Sequence, residues 1–395
     1  MIIYVMDEVL MIETDEKLNS GNAEAVQEVI EGQLAQHPDL PVCVDAEKLR
    51  MISSMGLRVL MSIVHKGRET SVINVSPEVY DIFEATGFTT LMEIRKKRRC
   101  IDVTGCTLLG EGAFGSVYRL DQDTVVKVYR GSEEMLPMIE REKEKARNAF
   151  VSGAPTAIPF DIVRITGGPG EYGTVFEMID AKNCSDIVRD DPPALDWIIP
   201  QYAEFLYALH QLKAEPGQVM DNREYYQSLL DQLSLPDQKT KQRLHDLLER
   251  MPEESGFVHG DIQLKNVMLA DGKMVLVDMD TLSCGNPVFE FAGLYATYIA
   301  FNEDDPYDTE HFLGINKENA ERIARQTLEE YLKLRGGEQQ FEEVFRKVRI
   351  VGYLRFLKIR ILEQASVQSD LKDLQIAHTL QHLEELAFST DDLTI

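Results

Sequence analysis

One stretch of this chain restricts its fold more than any other: VHGDIQLKNVML at residues 258–269, followed by VLVDMD at residues 275–280. Apolar residues flank a His-Gly-Asp triplet, an Asn follows the Asp by five positions, and a second Asp comes twelve positions later. This spacing predicts a strand–loop–strand element in which Asp261 orients a hydroxyl and accepts its proton, while Asn266 and Asp278 hold a metal ion. Phosphoryl transfer needs these parts, because its catalysis consists mostly of positioning and charge neutralisation.

Length and charge limit the classes of protein that remain. A chain of 395 residues is expected to form two or three domains, and 44% hydrophobic residues suffice for packed cores. A formal net charge of −26 disfavours binding to nucleic acid and to anionic membranes. The N-terminal stretch becomes acidic too early for a signal peptide, and five cysteines without a CxxC pair are typical of reduced thiols. We therefore predict a cytoplasmic protein with neither nucleic acid nor membrane as a partner.

A glycine-rich segment, LLGEGAFGSVYRL at residues 108–120, carries Gly110, Gly112 and Gly115. Glycines allow a backbone to fold closely over phosphates, because no side chain blocks the approach. The same pattern occurs in the turn of a dinucleotide-binding domain, where a helix must follow. Here the next segment, TVVKVYR at residues 124–130, is typical of a strand, which disfavours that alternative. The three glycines are predicted to bind the phosphates of a nucleotide.

A lysine and a glutamate complete the predicted phosphate site. Lys127 lies twelve residues after Gly115, where the phosphate-contacting lysine of a kinase belongs, although it could instead be an ordinary charge on an edge strand. The helix predicted over residues 135–150 places Glu142 on its apolar face, whereas its other glutamates point elsewhere. Glu142 is therefore predicted to fix Lys127; otherwise it is a solvated helix carboxylate.

An apolar strand, TVFEMIDA at residues 174–181, is predicted to join two lobes. The backbone groups of Glu177 and Met178 would then contact an adenine ring. The alternative is a core strand without that role, and no side chain in the segment identifies the base.

Other polar residues of the two loops leave alternatives open. His259 is predicted to brace the loop, while Lys265 either offsets charge on the transferred phosphate or faces solvent. Asp280 either adds a metal ligand or hydrogen-bonds the loop. Taken in order, the glycine-rich segment, lysine, glutamate, HGDxxxxN and aspartate predict ATP and Mg²⁺ as cofactors.

Residues 104–300 resemble the protein-kinase-like superfamily. HGDIQLKN is similar to the aminoglycoside phosphotransferase and choline kinase branch, in which HGD replaces the HRD of protein kinases. VDMDTLSCGNPVFEFA at residues 277–292 resembles a further segment of that branch, with Glu290 where Asp is usual. GEGAFGSVY is closer to protein kinases. The resemblance implies a kinase-type fold and ATP chemistry, and it leaves the phosphate acceptor open.

The first 94 residues resemble a STAS domain, the fold of anti-sigma-factor antagonists. The resemblance rests on VDAEKLRMISSMGLRVLMSI at residues 44–63 and on residues 75–94. In phosphorylated members an Asp-Ser-Ser-Gly segment begins a helix, and its first serine accepts phosphate. Here Ser54 falls on that position and Ser53 replaces the Asp. The resemblance makes Ser54 a candidate phosphoacceptor; alternatively, both serines only cap the helix.

Together these features predict an α/β plus α+β chain with three segments. A STAS-like regulatory domain occupies residues 1–97, a strand-rich kinase-like N-lobe residues 98–180, and a helical C-lobe residues 181–395. The predicted function is ATP- and Mg²⁺-dependent transfer of the γ-phosphate to a hydroxyl acceptor, with the STAS module regulating or binding a protein partner. The alternatives are a Ser/Thr protein kinase of a signalling switch and a non-catalytic nucleotide-binding protein.

The helical second half of the chain is predicted to shape the acceptor site. Residues 353–365 predict an amphipathic helix carrying Arg355, Lys358 and Arg360. The segment FNEDDPYDTEH at residues 301–311 is acidic, and acidic loops beside an active site favour cationic acceptors. The other interpretation of that segment is surface charge for solubility.

Overall fold

The computed structural model describes residues 1–112, 115–337, 340–362 and 369–395. The chain packs as two compact units, Met1–Ile101 and Asp102–Ile395. The predicted domain boundary after residue 97 and the lobe division after residue 180 stay predictions.

Strands form most of the regular structure before residue 180 and become short after it. They are β1 Ile2–Met6, β2 Val9–Glu13, β3 Lys17–Leu18, β4 Val42–Asp45, β5 Met51–Ile52, β6 Thr70–Val75, β7 Glu93–Lys96, β8 Cys100–Asp102, β9 Thr107–Glu111, β10 Gly115–Arg119, β11 Thr124–Tyr129, β12 Pro159–Thr166, β13 Tyr172–Glu177, β14 Lys182–Asn183, β15 Met220–Asp221, β16 Phe257–Val258, β17 Val267–Ala270, β18 Lys273–Leu276 and β19 Ser283–Cys284.

Helices dominate the second half of the chain. They are α1 Ala23–Gln36, α2 Ser54–His65, α3 Pro77–Ala85, α4 Leu136–Val151, α5 Cys184–Asp190, α6 Leu195–Gln211, α7 Asn222–Gln232, α8 Gln238–Glu249, α9 Val288–Tyr295, α10 Phe301–Asp304, α11 Asp308–Leu313, α12 Lys317–Arg335, α13 Phe341–Ile361 and α14 Ser369–Leu386. Short 3₁₀ turns and one π-helical turn, Ala296–Ala300, join some of them.

The first unit is an α/β domain around a five-stranded sheet of order β1-β2-β4-β6-β7. β1 and β2 form an antiparallel pair, and β2, β4, β6 and β7 run parallel. Buried side chains of α1, α2 and α3 share one hydrophobic cluster with the strands, because each helix has a single apolar face to cover. Helix α2 begins after Ser53, whose Oγ accepts a hydrogen bond from the Gly56 amide at 3.4 Å.

The second unit begins with a six-stranded sheet of order β8-β12-β13-β11-β10-β9. β11 lies between β10 and β13 and pairs antiparallel with both, so it is a central strand. Helix α4 covers this sheet: Ile139 packs with Tyr129, Ile162 and Tyr172 of three neighbouring strands. Lys127 of β11 and Glu142 of α4 therefore both lie where α4 covers the sheet.

The segment at residues 257–280 takes the predicted strand–loop–strand form. After β16, the loop leads through a 3₁₀ turn, Leu264–Asn266, into the β17–β18 hairpin. That hairpin pairs Val267 with Leu276, so the residues just outside it also meet, and the Val277 amide donates to the Asn266 carbonyl at 3.0 Å. The register of the hairpin brings Asn266 close to Asp278.

Helices α6, α9, α12 and α13 contribute nearly half of the buried residues of the large core beneath this loop. Among the described residues, no helix is both long and apolar enough to cross a membrane. The helix predicted over 353–365 belongs to α13 as far as Ile361, and residues 363–365 lie outside the described residues. It is not amphipathic in the predicted sense, because Arg360 is buried against Phe301 and Phe356.

Candidate active site

Lys127 projects from the central strand β11 toward helix α4. Its Nζ donates to Oε1 of Glu142 at 2.7 Å, and Glu142 is only 3% exposed. Because β11 is central, the alternative of an edge-strand charge is wrong for Lys127. Glu142 is not solvated either, since it lies on the buried face of α4 beside Ile139 and Ala146.

The same ammonium reaches the second half of the chain. Lys127 Nζ lies 2.6 Å from Oδ1 of Asp278, which is 151 positions away in sequence. Burial alone would lower the pKa of Lys127, but the carboxylates of Glu142 and Asp278 raise it above its ordinary value, so Lys127 stays charged. Asp278 has φ 64°, a left-handed conformation that costs energy in a residue other than glycine and that tends to occur at functional sites.

Replacing Glu142 by Gln should weaken nucleotide use. The substitution removes a charge-assisted hydrogen bond worth about 1.5–3 kcal/mol from Lys127, which would then be held by Asp278 alone. We expect kcat/KM for Mg·ATP to fall roughly 10- to 100-fold. Glu144→Gln on the same helix is the matched control, because Glu144 is exposed and pairs only with Arg147 among the interactions found for it. Equal kcat/KM values for the two variants would contradict the assignment of Glu142.

The glycine-rich segment is described up to Gly112 and again from Gly115, so Ala113 and Phe114 lie outside the described residues. A Cβ at Gly115 would lie 2.1 Å from the Val128 carbonyl oxygen, which makes glycine necessary for the pairing of β10 with β11. Among the described residues, a Cβ at Gly110 would meet nothing within 4 Å, and one at Gly112 would touch only the Gly115 carbonyl oxygen at 4.0 Å. The protein itself therefore requires glycine at position 115, and leaves open space beside positions 110 and 112.

Asp261 is held by groups on both of its carboxylate oxygens. Oδ2 accepts from Gln263 Nε2 at 2.9 Å and from Asn266 Nδ2 at 3.1 Å. Oδ1 lies 3.2 Å from Arg355 Nη2, a residue of helix α13. Asp261 keeps 29% of its side chain exposed, so a substrate hydroxyl can still reach it.

His259 and Glu290 fix the backbone that carries Asp261. The buried ring of His259 accepts from the Asp261 amide through Nδ1 at 3.3 Å and donates through Nε2 to the Val277 carbonyl at 3.1 Å. Glu290 accepts the amide of His259 at 2.7 Å and that of Gly260 at 2.9 Å. His259 therefore braces the loop, as its position predicts.

The carboxylate of Glu290 is completely buried, yet it stays ionised. Burial would raise its pKa, but the hydrogen bond of His210 and the Gly260 amide together lower that pKa below its ordinary value. His210 Nε2 lies 3.5 Å from Oε2. Glu290 thus acts through the backbone, as a positioning residue for the loop.

Asp280 and Lys145 form the outer part of the site. Burial and the neighbouring charge of Asp278 raise the pKa of Asp280. Lys145 Nζ donates to the Asp280 carbonyl oxygen at 2.6 Å, so a side chain of α4 is hydrogen-bonded to the segment just after Asp278. Lys265, by contrast, is exposed and lies 5.1 Å from the centre of the Phe312 ring, which favours the solvent-facing alternative.

The segment predicted to contact adenine differs from its prediction in one respect. Strand β13 ends at Glu177, and residues 178–181 are not strand. The Met178 amide donates to the Asp123 carbonyl at 2.8 Å, so it is not available to a base. The Glu177 amide is likewise used, by the Ile158 carbonyl at 2.9 Å. Both amides are therefore used within the protein, and the predicted contact of the Glu177 and Met178 backbone with adenine stays a prediction.

Comparison with known proteins assigns both parts of the chain. The model of the phosphotransferase enzyme family, APH, matches residues 105–329, more than half of the 395 residues. The chain belongs to the phosphotransferase enzyme family. The STAS domain model matches residues 1–99, so a STAS domain precedes the phosphotransferase domain. The predicted resemblances, and the fold class with them, are confirmed.

Solved structures of similar fold are aminoglycoside phosphotransferases. ADP-bound APH(2'')-Ib is 14% identical, with a TM-score of 0.44 over 78% of this chain and 98% of that chain. A thermostable mutant of APH(4)-Ia without ligand is 14% identical, with a TM-score of 0.48 over 72% and 94%. The streptomycin–ATP complex of APH(2'')-IIa is 14% identical, with a TM-score of 0.42 over 78% and 97%. No curated protein matches the chain.

The sequence analysis gave two residues, Arg355 and Glu290, no role in holding the loop of Asp261. Arg355 is one of several cations in a long helix, 94 positions after Asp261, and no spacing rule connects the two. Glu290 had a weaker signal: it is a glutamate within an otherwise apolar run, PVFEFAGLYA, and a carboxylate there must find buried donors.

Proposed function

We propose that this phosphotransferase transfers the γ-phosphate of ATP to a hydroxyl acceptor with the help of Mg²⁺. One observation carries the proposal: a single ammonium, Lys127 Nζ, joins Glu142 of the N-terminal layer to Asp278 beside the catalytic loop. Binding the phosphates of ATP between these two parts is what such a lysine does in kinase-type enzymes. In this proposal Asp261 and Asn266 act at the reacting end of the nucleotide.

Backbone groups are proposed to bind ATP at its phosphates and at its base. Among the described residues, no atom crowds the backbone of Gly110 or Gly112, which suits a close approach by phosphates. At the other end, the Glu177 carbonyl and the Ile179 amide are further backbone groups proposed for the base, beside the predicted Glu177 and Met178. Among the described residues, no backbone carbonyl accepts from the Ile179 amide.

The donor set also fits Mg²⁺. Asp278 supplies a carboxylate with 41% of its side chain exposed, and Asn266 supplies a carboxamide that Asp261 orients through Nδ2. No group of three or more His, Cys, Asp or Glu side chains with metal-binding geometry occurs in the described part of the chain. Mg²⁺ is commonly held by one or two carboxylates together with substrate phosphates, so this sparse set suits it. When bound, the ion would neutralise charge on the phosphates.

Asp261 is the group that acts on the acceptor. Its carboxylate takes the proton of the acceptor hydroxyl as the hydroxyl oxygen forms a bond to the γ-phosphorus and the bond between that phosphorus and the β–γ bridging oxygen breaks. The products are ADP and a phosphate ester. His259 and Glu290 hold Asp261 in place through the main chain.

Nucleotide binding is the direct test of this function. Isothermal titration of the full chain with ADP should show binding that tightens when Mg²⁺ is added, and ATP should be turned over only with Mg²⁺ present. A folded protein that binds neither nucleotide in the presence of Mg²⁺ would overturn the proposal.

We assign the STAS domain to regulation or to binding a protein partner. Ser53 caps α2, whereas Ser54 is exposed in the first helical turn, where the helix dipole favours a phosphate group. If Ser54 is a phosphoacceptor, intact-mass measurement after incubation with Mg·ATP should show one added phosphate that Ser54→Ala lacks and Ser62→Ala keeps. An unchanged mass under turnover conditions would contradict autophosphorylation.

All five cysteines are free thiols, which supports a reducing, cytoplasmic location.

A further inference from the structure

A cavity of about 370 Å³ lies next to the residues that hold Glu290. None of the described residues that line it belongs to the candidate active site, so it is a separate feature of the second unit. We call it the α6–α12 cavity, after the helices that supply two of its lining residues. Its volume falls within the range of small-molecule sites in proteins. The lining includes Tyr207, His210, Lys213, Glu254, Pro287 and Arg335.

The lining of the α6–α12 cavity has a positive balance of charge, although the chain as a whole has a net charge of −26. Lys213 and Arg335 are exposed cations, and Glu254 is the one carboxylate among the described lining residues. Oε1 of Glu254 accepts from Asn286 Nδ2 at 2.6 Å, so this carboxylate already has a partner. Within the described parts of the chain, neither Lys213 nor Arg335 forms an ion pair with a carboxylate. The cavity therefore attracts small anions.

Arg335 also contacts a chain of buried side chains that leads to the loop of Asp261. The guanidinium carbon of Arg335 lies 6.0 Å from the centre of the Tyr331 ring, one turn earlier on α12. The hydroxyl oxygen of Tyr331 lies 2.8 Å from His210 Nδ1. His210 Nε2 lies 3.5 Å from Oε2 of Glu290, the carboxylate that holds the loop backbone. Side-chain contacts thus connect the α6–α12 cavity with the loop that carries Asp261.

The hydrogen bonds along this chain of contacts have a definite direction. An ionised Glu290 can only accept, so His210 Nε2 carries the proton that it donates. Nδ1 of the neutral ring then accepts from Tyr331, and because burial raises the pKa of Tyr331 to about 12, that hydroxyl keeps its proton. Pro287 provides a second connection: it lines the cavity, and its carbonyl accepts from the Glu290 amide at 3.0 Å.

We propose that the α6–α12 cavity is an inhibitory site for a small molecule that carries a carboxylate or a phosphate group. The anion binds to Lys213 and Arg335, since a guanidinium fork and an ammonium suit both kinds of group. Pairing with the anion draws Arg335 away from Tyr331, which weakens the hydrogen bonds from Tyr331 to His210 and from His210 to Glu290. The loop of Asp261 is then held less firmly and turnover falls. The inhibition rests on the proposed function, whereas anion binding does not.

Inorganic phosphate and succinate are the probes of binding. The full chain is titrated calorimetrically with each anion at constant ionic strength, after a non-hydrolysable ATP analogue and Mg²⁺ have filled the nucleotide site. Lys213→Gln and Arg335→Gln should each weaken binding of the preferred anion about tenfold or more, because each removes a charged donor. Arg325→Gln is the matched control: it makes the same charge change on α12, where Arg325 pairs with Glu342 at 3.6 Å. Absence of binding by both anions, or equal affinities in wild type and both cavity variants, would overturn the inference.

Kinetics distinguish this cavity from the nucleotide site. An anion that competes with ATP raises KM for ATP and leaves kcat unchanged, whereas an anion in the α6–α12 cavity lowers kcat for ADP release. At a saturating concentration of the anion we expect kcat to fall about fivefold or more, a typical allosteric coupling. Tyr331→Phe keeps both cations but removes the hydroxyl that donates to His210, so it should bind the anion normally while its kcat no longer responds. An effect on KM alone, or the same loss of kcat in Tyr331→Phe, would overturn the inference.

Failure of this inference is separable from failure of the proposed function. A chain that binds no nucleotide would overturn the proposed function and the inhibition, while titration of the chain and its cavity variants with phosphate would still test the anion site. A chain that turns over Mg·ATP but binds no anion through Lys213 and Arg335 would overturn the inference and leave the phosphotransferase assignment intact. Thermal melting of each variant checks folding. Lys213→Gln and Arg335→Gln alter exposed side chains and keep the test valid should Tyr331→Phe fail to fold.

Discussion

Replacing Asp261 by Asn should lower kcat by about 10²–10⁴-fold, the range that a positioned proton acceptor contributes. The amide keeps the shape of the side chain but cannot take the acceptor's proton, and it loses the ion pair with Arg355 at 3.2 Å. Nucleotide affinity should change much less, because Lys127 is bound to Glu142 and Asp278 and not to Asp261. Steady-state kinetics and titration with Mg·ADP measure the two quantities separately.

A matched control for this substitution lies ten residues away. Asp271→Asn makes the same change in the exposed turn of the β17–β18 hairpin, where Asp271 has φ 49° and Asn tolerates the left-handed conformation. We expect wild-type kcat for Asp271→Asn. Near-normal turnover by Asp261→Asn would show that another group accepts the proton or that none is required.

Replacing Glu290 by Gln should destabilise the second unit by about 2–4 kcal/mol, because two backbone amides lose a charged acceptor in a fully buried place. A glutamine can accept only one of these bonds with its oxygen and turns a second donor toward the other amide. The loop would loosen, so kcat should fall although Glu290 touches no substrate. Urea unfolding followed by tryptophan fluorescence or circular dichroism gives the free energy, with exposed Glu310→Gln as the control.

The pH dependence of this effect has a definite sign. The folded-state pKa of Glu290 is lower than its ordinary value of 4.5, so its contribution to stability is present above pH 4.5 and is lost as the pH falls through the lower value. The difference in unfolding free energy between wild type and Glu290→Gln should therefore be largest near neutral pH and shrink in acid. Glu290→Asp keeps the charge on a side chain one methylene shorter and should recover part of the stability and kcat. A Glu290→Gln variant as stable and active as wild type at neutral pH would remove the positioning role.

Local sequence patterns were sufficient for the elements and for one long-range contact. The alternation of strands and helices in the first unit, the serine cap before α2 and the strand that carries Lys127 follow from short-range periodicity and capping chemistry. Glu142 could be selected among the glutamates of α4, because only a carboxylate on the apolar face must find a buried partner. The pairing of the Met178 amide was beyond such patterns: it donates to Asp123, a loop residue 55 positions earlier, which no pattern within residues 174–181 reveals.

The residues VHGDIQLKN and VDMD by themselves determined the chemistry, since Asp261, Asn266 and Asp278 stand at spacings that a short loop and a tight hairpin convert into one cluster. The surroundings of that cluster depended on tertiary structure alone. Packing of α13 brings Arg355 to Asp261 across 94 residues, and α9 places Glu290 under the loop backbone. Contacts of this kind depend on how helices pack in three dimensions, and the sequence of a helix with evenly spread cations and apolar residues does not show which side chain will meet the Asp261 carboxylate.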